Sequence, residues 1–311
     1  MASPLPKTLP LSANHRGALL MSLCMFAFVL NDGLMKWLFA EMSIYQAIFL
    51  RGVVTVPLMA AMAWRQGSLI LRLASHDRRL VAIRVTAEVG ATVGFLTALA
   101  HMPLANVTAI LQALPLTVTM AAALFLGEAV GWRRWLAIGV GLAGVMIIIR
   151  PGMEGFSVWS LWALGAVVCV TVREITTRRL SADVPSMPVA LATAVAIGGL
   201  GAVMLPSVEW RPVDTGSWAV LLATSVAIIG GYLFSVMTIR TGDIGFVAPF
   251  RYTAMVWAIG LGLLMFAELP DMPTLAGTAI IIVTGLYSLH RERSVSRSGP
   301  ESARPASQDP D

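Results

Sequence analysis

Residues 104–128, LANVTAILQALPLTVTMAAALFLGE, and residues 244–268, IGFVAPFRYTAMVWAIGLGLLMFAE, align when the chain is slid on itself by 140 positions. Ala105 then meets Gly245, Val107 meets Val247, Leu126 meets Phe266 and Glu128 meets Glu268. Nine residues beyond each glutamate, Ala137 meets Gly277. Identity is weak. The shared design is a small-residue-rich apolar run that ends in a glutamate and is followed by one more apolar run.

The composition says what these runs are. Hydrophobic residues make up 57% of the chain and charged residues 13%, with a mean hydropathy of +0.78, outside the range of soluble globular domains. Backbone polar groups find no water in the hydrocarbon core, so spanning segments are helices or closed barrels. Runs of about 20 apolar residues indicate helices, whereas a barrel would alternate in shorter segments. Ten spans are expected, at 17–39, 43–63, 81–100, 104–127, 134–149, 157–177, 186–206, 217–238, 246–267 and 273–290.

The fold class is therefore all-α membrane, with ten transmembrane helices. Each half, 17–149 and 157–290, holds five of them, and an odd number makes the second copy cross in the opposite sense. The expectation is an inverted-topology repeat, the design that gives secondary carriers two nearly equivalent conformations around one central site. Connections are short, the longest running from Arg65 to Leu80, so no independent extramembrane domain is expected.

Charge placement sets the orientation. With residues 1–16 cytoplasmic, fifteen of the 22 Lys and Arg residues fall on the inner side, and only Arg150 and Arg211 on the outer side. That asymmetry follows the positive-inside rule and places both termini of a multi-pass protein in the cytoplasm. It also accounts for the pI near 9.8 without nucleic acid, which would need a basic face on a soluble domain. The N-terminal MASPLPKTLPLSANHRG is polar and Pro-rich, and the run after it is too long for a signal h-region, so it reads as retained. Residues 291–311, rich in Ser, Pro and Arg, read as a disordered cytoplasmic tail.

Gly139–Gly144, GVGLAG, matches a dinucleotide fingerprint in letters only. It lies inside an apolar helix with no strand before it, where glycines permit close helix packing. Gly90–Gly94 reads the same way. No phosphate-binding loop, HExxH or paired-cysteine pattern is present, so no metal, no cofactor and no catalytic residue is expected. Cys24 and Cys169 fall within spans and behave as small hydrophobes.

Charges inside spans are costly and usually face a cavity or a partner. Asp32 with Lys36, Arg84 with Glu88, and Glu174 with Arg178 are each four apart and are expected to pair on one helical face. Glu128 and Glu268 sit at helix ends, where each is expected to cap the next helix. Arg51 and Arg251 have no acid at that spacing, so a partner must come from another helix, water or substrate. Asn31, Asp32, Glu88, Gln112, Tyr252 and Trp257 complete the candidate substrate-binding set. For FVLNDGLMKW, residues 28–37, two readings stand: a self-paired helix end, or a lip of the central cavity.

The chain resembles the drug/metabolite transporter superfamily, EamA family, over about residues 17 to 290. LFLGE (124–128), Arg51, APFRYTAMVWAIGLGLLMFAELPD (248–271), Gly277 and TGLYSLHRE (284–292) carry the resemblance, with Ala137 standing where the family usually has glycine. FRYTAMVW and GLYSLHRER are most similar to bacterial riboflavin importers and to S-adenosylmethionine importers. The resemblance implies a secondary transporter, not an enzyme, moving a small-molecule substrate across the lipid bilayer by alternating access. Riboflavin uptake leads, with S-adenosylmethionine uptake and export of amino acids or other metabolites as alternatives. A membrane-embedded enzyme is a rival of another class, for which no carboxylate-rich interfacial site is evident.

Overall fold

The computed structural model describes residues 13–65, 74–181, 183–241 and 244–297. Twelve α-helices follow in order: α1 Ala13–Glu41, α2 Ile44–Arg65, α3 Ser75–His101, α4 Leu104–Leu111, α5 Leu114–Leu126, α6 Trp132–Ile149, α7 Trp159–Arg178, α8 Ser186–Met204, α9 Thr215–Thr241, α10 Ile244–Val247, α11 Thr253–Phe266 and α12 Met272–Arg297. Among the described residues, ten spans are long and apolar enough to cross a membrane. Two of them are interrupted. The fourth breaks between α4 and α5 at Gln112 and Ala113, and the ninth tightens to a 3-10 turn over Ala248–Tyr252. Pro115 and Pro249 sit at these interruptions, where a missing N–H and a fixed φ disturb the helical ladder.

The last helix continues to Arg297, so residues 291–297, expected to begin a disordered tail, are helical. Arg and Glu are good helix formers and extend a helix already nucleated by the largely apolar span before them. Residues 298–311 and 1–12, and 66–73 of the longest connection, lie outside the described residues.

The most extensive contacts are α1 with α9, α3 with α7, α6 with α12 and α2 with α8. Each joins a helix before residue 150 to one after it, so the two halves interdigitate. Small residues make the crossings. A Cβ added to Gly52 would lie 2.9 Å from Gly198 Cα, and one on Gly144 would lie 2.9 Å from Gly277 O. Gly141 and Gly144 of GVGLAG are thus packing positions, while Gly139 faces open space. The α6–α12 crossing rests on Gly144, and Ala137 is buried two turns away.

One turn repeats. α5 ends on Gly127 with φ 71° and α11 ends on Ala267 with φ 54°, each immediately before a glutamate. Left-handed backbone suits glycine and burdens any residue with a Cβ. Ala267→Gly is expected to raise stability by about 1 kcal/mol, read as a higher melting temperature in detergent. Beyond this turn, Asp271 Oδ1 accepts from Thr274 N at 3.0 Å and caps α12, while its other oxygen pairs with Arg150. Burial pushes the Asp271 carboxyl up, but bonds from Thr274 and Arg150 outweigh it and hold it below the usual carboxylate range. This tie is fully present above about pH 4 and is lost as pH falls through the depressed value.

Candidate functional site

Five helices bring charged side chains together between the halves: Asn31 and Asp32 from α1, Arg51 from α2, Arg84 and Glu88 from α3, Arg173 and Glu174 from α7, and Tyr232 from α9. Asn31 Nδ2 donates to Asp32 Oδ1 at 3.0 Å. Asp32 and Arg51 act on one another electrostatically without closing to a direct ion pair. Arg173 reaches two acids, donating from Nη1 to Glu88 Oε2 at 2.7 Å and from Nη2 to Glu174 Oε1 at 2.5 Å. Tyr232 lies in the field of Glu88, Arg173, Arg51 and Arg84 and meets Phe28 edge to face, with centroids 5.6 Å apart. Tyr232 is 58% exposed, yet charges from three other helices surround it. Its exposure is therefore into a cleft between helices, since charges of this kind shun lipid.

Three expected pairings are corrected. Lys36 bonds not to Asp32 but to Glu268, at 2.6 and 2.7 Å. Glu88 bonds not to Arg84 but to Arg173, and Arg178 bonds not to Glu174 but to Glu128, at 2.9 Å. Neighbours on one helix gain a few tenths of a kcal/mol from pairing. For Lys36 and Glu88 the partner on a facing element is largely desolvated with the charge it meets, so Coulomb attraction is worth more, whereas Arg178 and Glu128 meet about half exposed. Sequence spacing cannot see that partner.

The capping expectation is corrected as well. Glu128 and Glu268 do sit at helix ends, but α6 starts after Gly131 with no side-chain cap and α12 is capped by Asp271. Glu268 Oε2 instead accepts from Leu104 N at 3.2 Å, at the start of α4.

These contacts repeat across the halves. Asn31, Asp32 and Lys36 stand 142 positions before Arg173, Glu174 and Arg178, and Glu128 stands 140 before Glu268. In each set a donor bonds to the acid that follows it, and a base bridges to the glutamate of the other half. The two bridges differ in setting. Lys36 is 11% exposed, also donates to Met102 O at 2.9 Å and lies 4.9 Å from the Phe266 ring centroid. Arg178 and Glu128 are 48% and 49% exposed.

The remaining candidates do not join the charged group. Tyr252 is buried with its hydroxyl against Gly285, where an added Cβ would lie 1.7 Å from the oxygen. Arg251 is exposed and acts on Cys24 of α1. Trp257 meets Phe26 edge to face at 5.0 Å. Trp257 Nε1, Gln112 Nε2, Asn106 Oδ1 and Asn31 Oδ1 are buried without hydrogen-bond partners among the described residues, on α1, α4 and α11 and at the end of α4. Sequence reasoning missed Arg173 and Tyr232. Arg173 was visible as an intramembrane cation, while nothing distinguished Tyr232 from an interface anchor.

Residues 15–150 match the family described as the EamA-like transporter family. This is a membrane transporter, not an enzyme, and residues 15–150 carry its EamA likeness. A pseudopaline exporter of Pseudomonas aeruginosa is 26% identical to it over 86% of this chain and 93% of that one. A riboflavin transporter of Brucella anthropi is 26% identical over 79% of this chain and 86% of its own. An S-adenosylmethionine uptake transporter of Rickettsia conorii is 25% identical over 64% and 68%. The transporter thus resembles proteins that handle three different molecules to much the same degree.

Proposed function

We propose that the protein is an alternating-access carrier of the inner membrane, with both termini cytoplasmic, that moves a small amphoteric metabolite through the cleft between its halves. The observation that carries this reading is the pair of cross-half bridges, Lys36–Glu268 and Arg178–Glu128, at opposite ends of the bundle. Each ties the first helix of one half to the end of the fourth span of the other. Loosening one while the other tightens exchanges the open side, which inverted halves make nearly isoenergetic.

The cleft supports the substrate class. Asp32, Glu88 and Glu174 face Arg51, Arg84 and Arg173, so a molecule with a carboxylate and a cationic centre meets a partner for each. S-adenosylmethionine has both. Riboflavin is the second reading, favoured by the unpartnered groups of Gln112 and Trp257, which suit the edge of a planar neutral ring.

The test is transport by the full chain reconstituted in sealed liposomes, with labelled S-adenosylmethionine and labelled riboflavin as separate arms. Saturable, counterflow-competent movement of the first supports the reading, and the preloading side gives its direction. Movement of riboflavin alone replaces the amphoteric substrate by the flavin. Movement of neither, with intact vesicles, removes both molecules.

A further inference from the structure

We infer that Arg84 is the residue that receives the carboxylate of the transported molecule, an inference that rests on the amphoteric-substrate reading above. Arg84 is the one arginine of the α3–α7 group whose guanidinium is oriented by neutral oxygens. Its Nε donates to Thr177 Oγ1 on α7 at 3.0 Å, and its Nη1 donates to Thr193 Oγ1 on α8 at 3.1 Å. Both hydroxyls have already committed their hydrogens. Thr177 donates to Arg173 O at 2.7 Å and Thr193 to Val189 O at 2.8 Å, so each presents lone pairs to Arg84. The guanidinium is thereby aimed by three helices before any anion arrives.

No acid among the described residues closes on its charge. Glu88, one turn along α3, is engaged by Arg173, and so is Glu174. Arg84 makes no ion pair with a described residue. A guanidinium carries five N–H donors in a planar fork, and the two threonines take two of them. The other three have no hydrogen-bond partner among the described residues, and Glu88, Arg173, Glu174 and Tyr232 act on the group from nearby. A cation held this way within a membrane span is costly, and an arriving carboxylate relieves that cost through charge-assisted bonds. Arg173 is unsuited to the role because two acids already occupy it. The amphoteric ligand's cationic centre would then lie toward Glu88 and Glu174.

The test uses purified full-length protein in detergent, with thermal stabilisation as the readout of binding. The probes are S-adenosylmethionine, riboflavin and the proteinogenic amino acids, each acid paired with its carboxamide. In wild type, amidation should weaken any stabilising acid by about tenfold or more, the worth of a charge-assisted bond. Arg84→Gln should weaken the acid by a similar factor and leave its amide unchanged. Arg84→Lys should restore part of the loss, and Thr193→Val should give a smaller loss of the same kind. Equal ligand-free melting temperatures show that the variants fold.

An acid that binds Arg84→Gln as tightly as wild type overturns the assignment, as does an acid no better than its amide, or silence of every probe on wild type. If an acid other than S-adenosylmethionine shows the Arg84 dependence, the assignment stands while that ligand falls. If riboflavin binds without regard to Arg84, the assignment falls while the carrier reading stands.

Discussion

Glu268→Gln is expected to lower the melting temperature of the purified protein sharply, with a loss on the order of 2–3 kcal/mol. The carboxylate answers a lysine that is 11% exposed and also accepts from Leu104 N. Removing its charge leaves the ammonium with neutral partners only: the amide oxygen, one backbone carbonyl and one aromatic face. Glu128→Gln, at the matching bridge, is expected to cost at most about 1 kcal/mol, because its partners are about half exposed and water screens them. The double swap Lys36→Glu with Glu268→Lys should recover part of the loss, since the charges again oppose. Thermal melts of the four proteins decide the matter. Equal losses at the two glutamates would show that burial does not set the difference.

Asp32→Asn is expected to abolish transport while membrane abundance stays at the wild-type level. The amide is nearly isosteric and still offers an oxygen to Asn31 Nδ2, so the local bond at 3.0 Å survives. What disappears is the charge facing Arg51, and with it the means of balancing a cation in that half of the cleft. Loss of such a contact slows initial uptake by at least about tenfold, at 1.4 kcal/mol per decade. Uptake in the liposome assay, normalised to protein, measures it. Wild-type rates in Asp32→Asn would return residues 28–37 to the role of a helix end that eases into the interface.

Much of the fold was legible because hydropathy is a local property. Each of the ten expected spans has its helix, with ends displaced by a few residues where polar flanks such as Ser75–Leu80 continue the helical ladder. The glutamate turn was legible too, since Gly127 and Ala267 hold the same left-handed conformation at matching positions. The site was legible only in part. Asp32, Arg51 and Glu88 stood out because charge in a span is costly, and the structure brings them to the cleft. Arg251, Tyr252 and Trp257 stood out for the same reason or for their aromatic character, yet they lie apart from it. Tyr252 turns its hydroxyl toward the space left by Gly285 on α12, a neighbour 33 positions away that no local pattern announces.

Composition and spacing by themselves determined a membrane protein of ten helices, the interior charges that need partners and the glycines that let helices touch. Those follow from the cost of moving individual groups out of water, which each residue carries wherever it stands. Which charge meets which was decided only by the tertiary structure. Lys36 finds Glu268 across 232 positions, and Glu88 finds Arg173 across 85, because ion pairing depends on distance in space and on shared desolvation. Arg84 remains without an acid for the same reason: the one on its own face is taken by a helix that sequence distance hides.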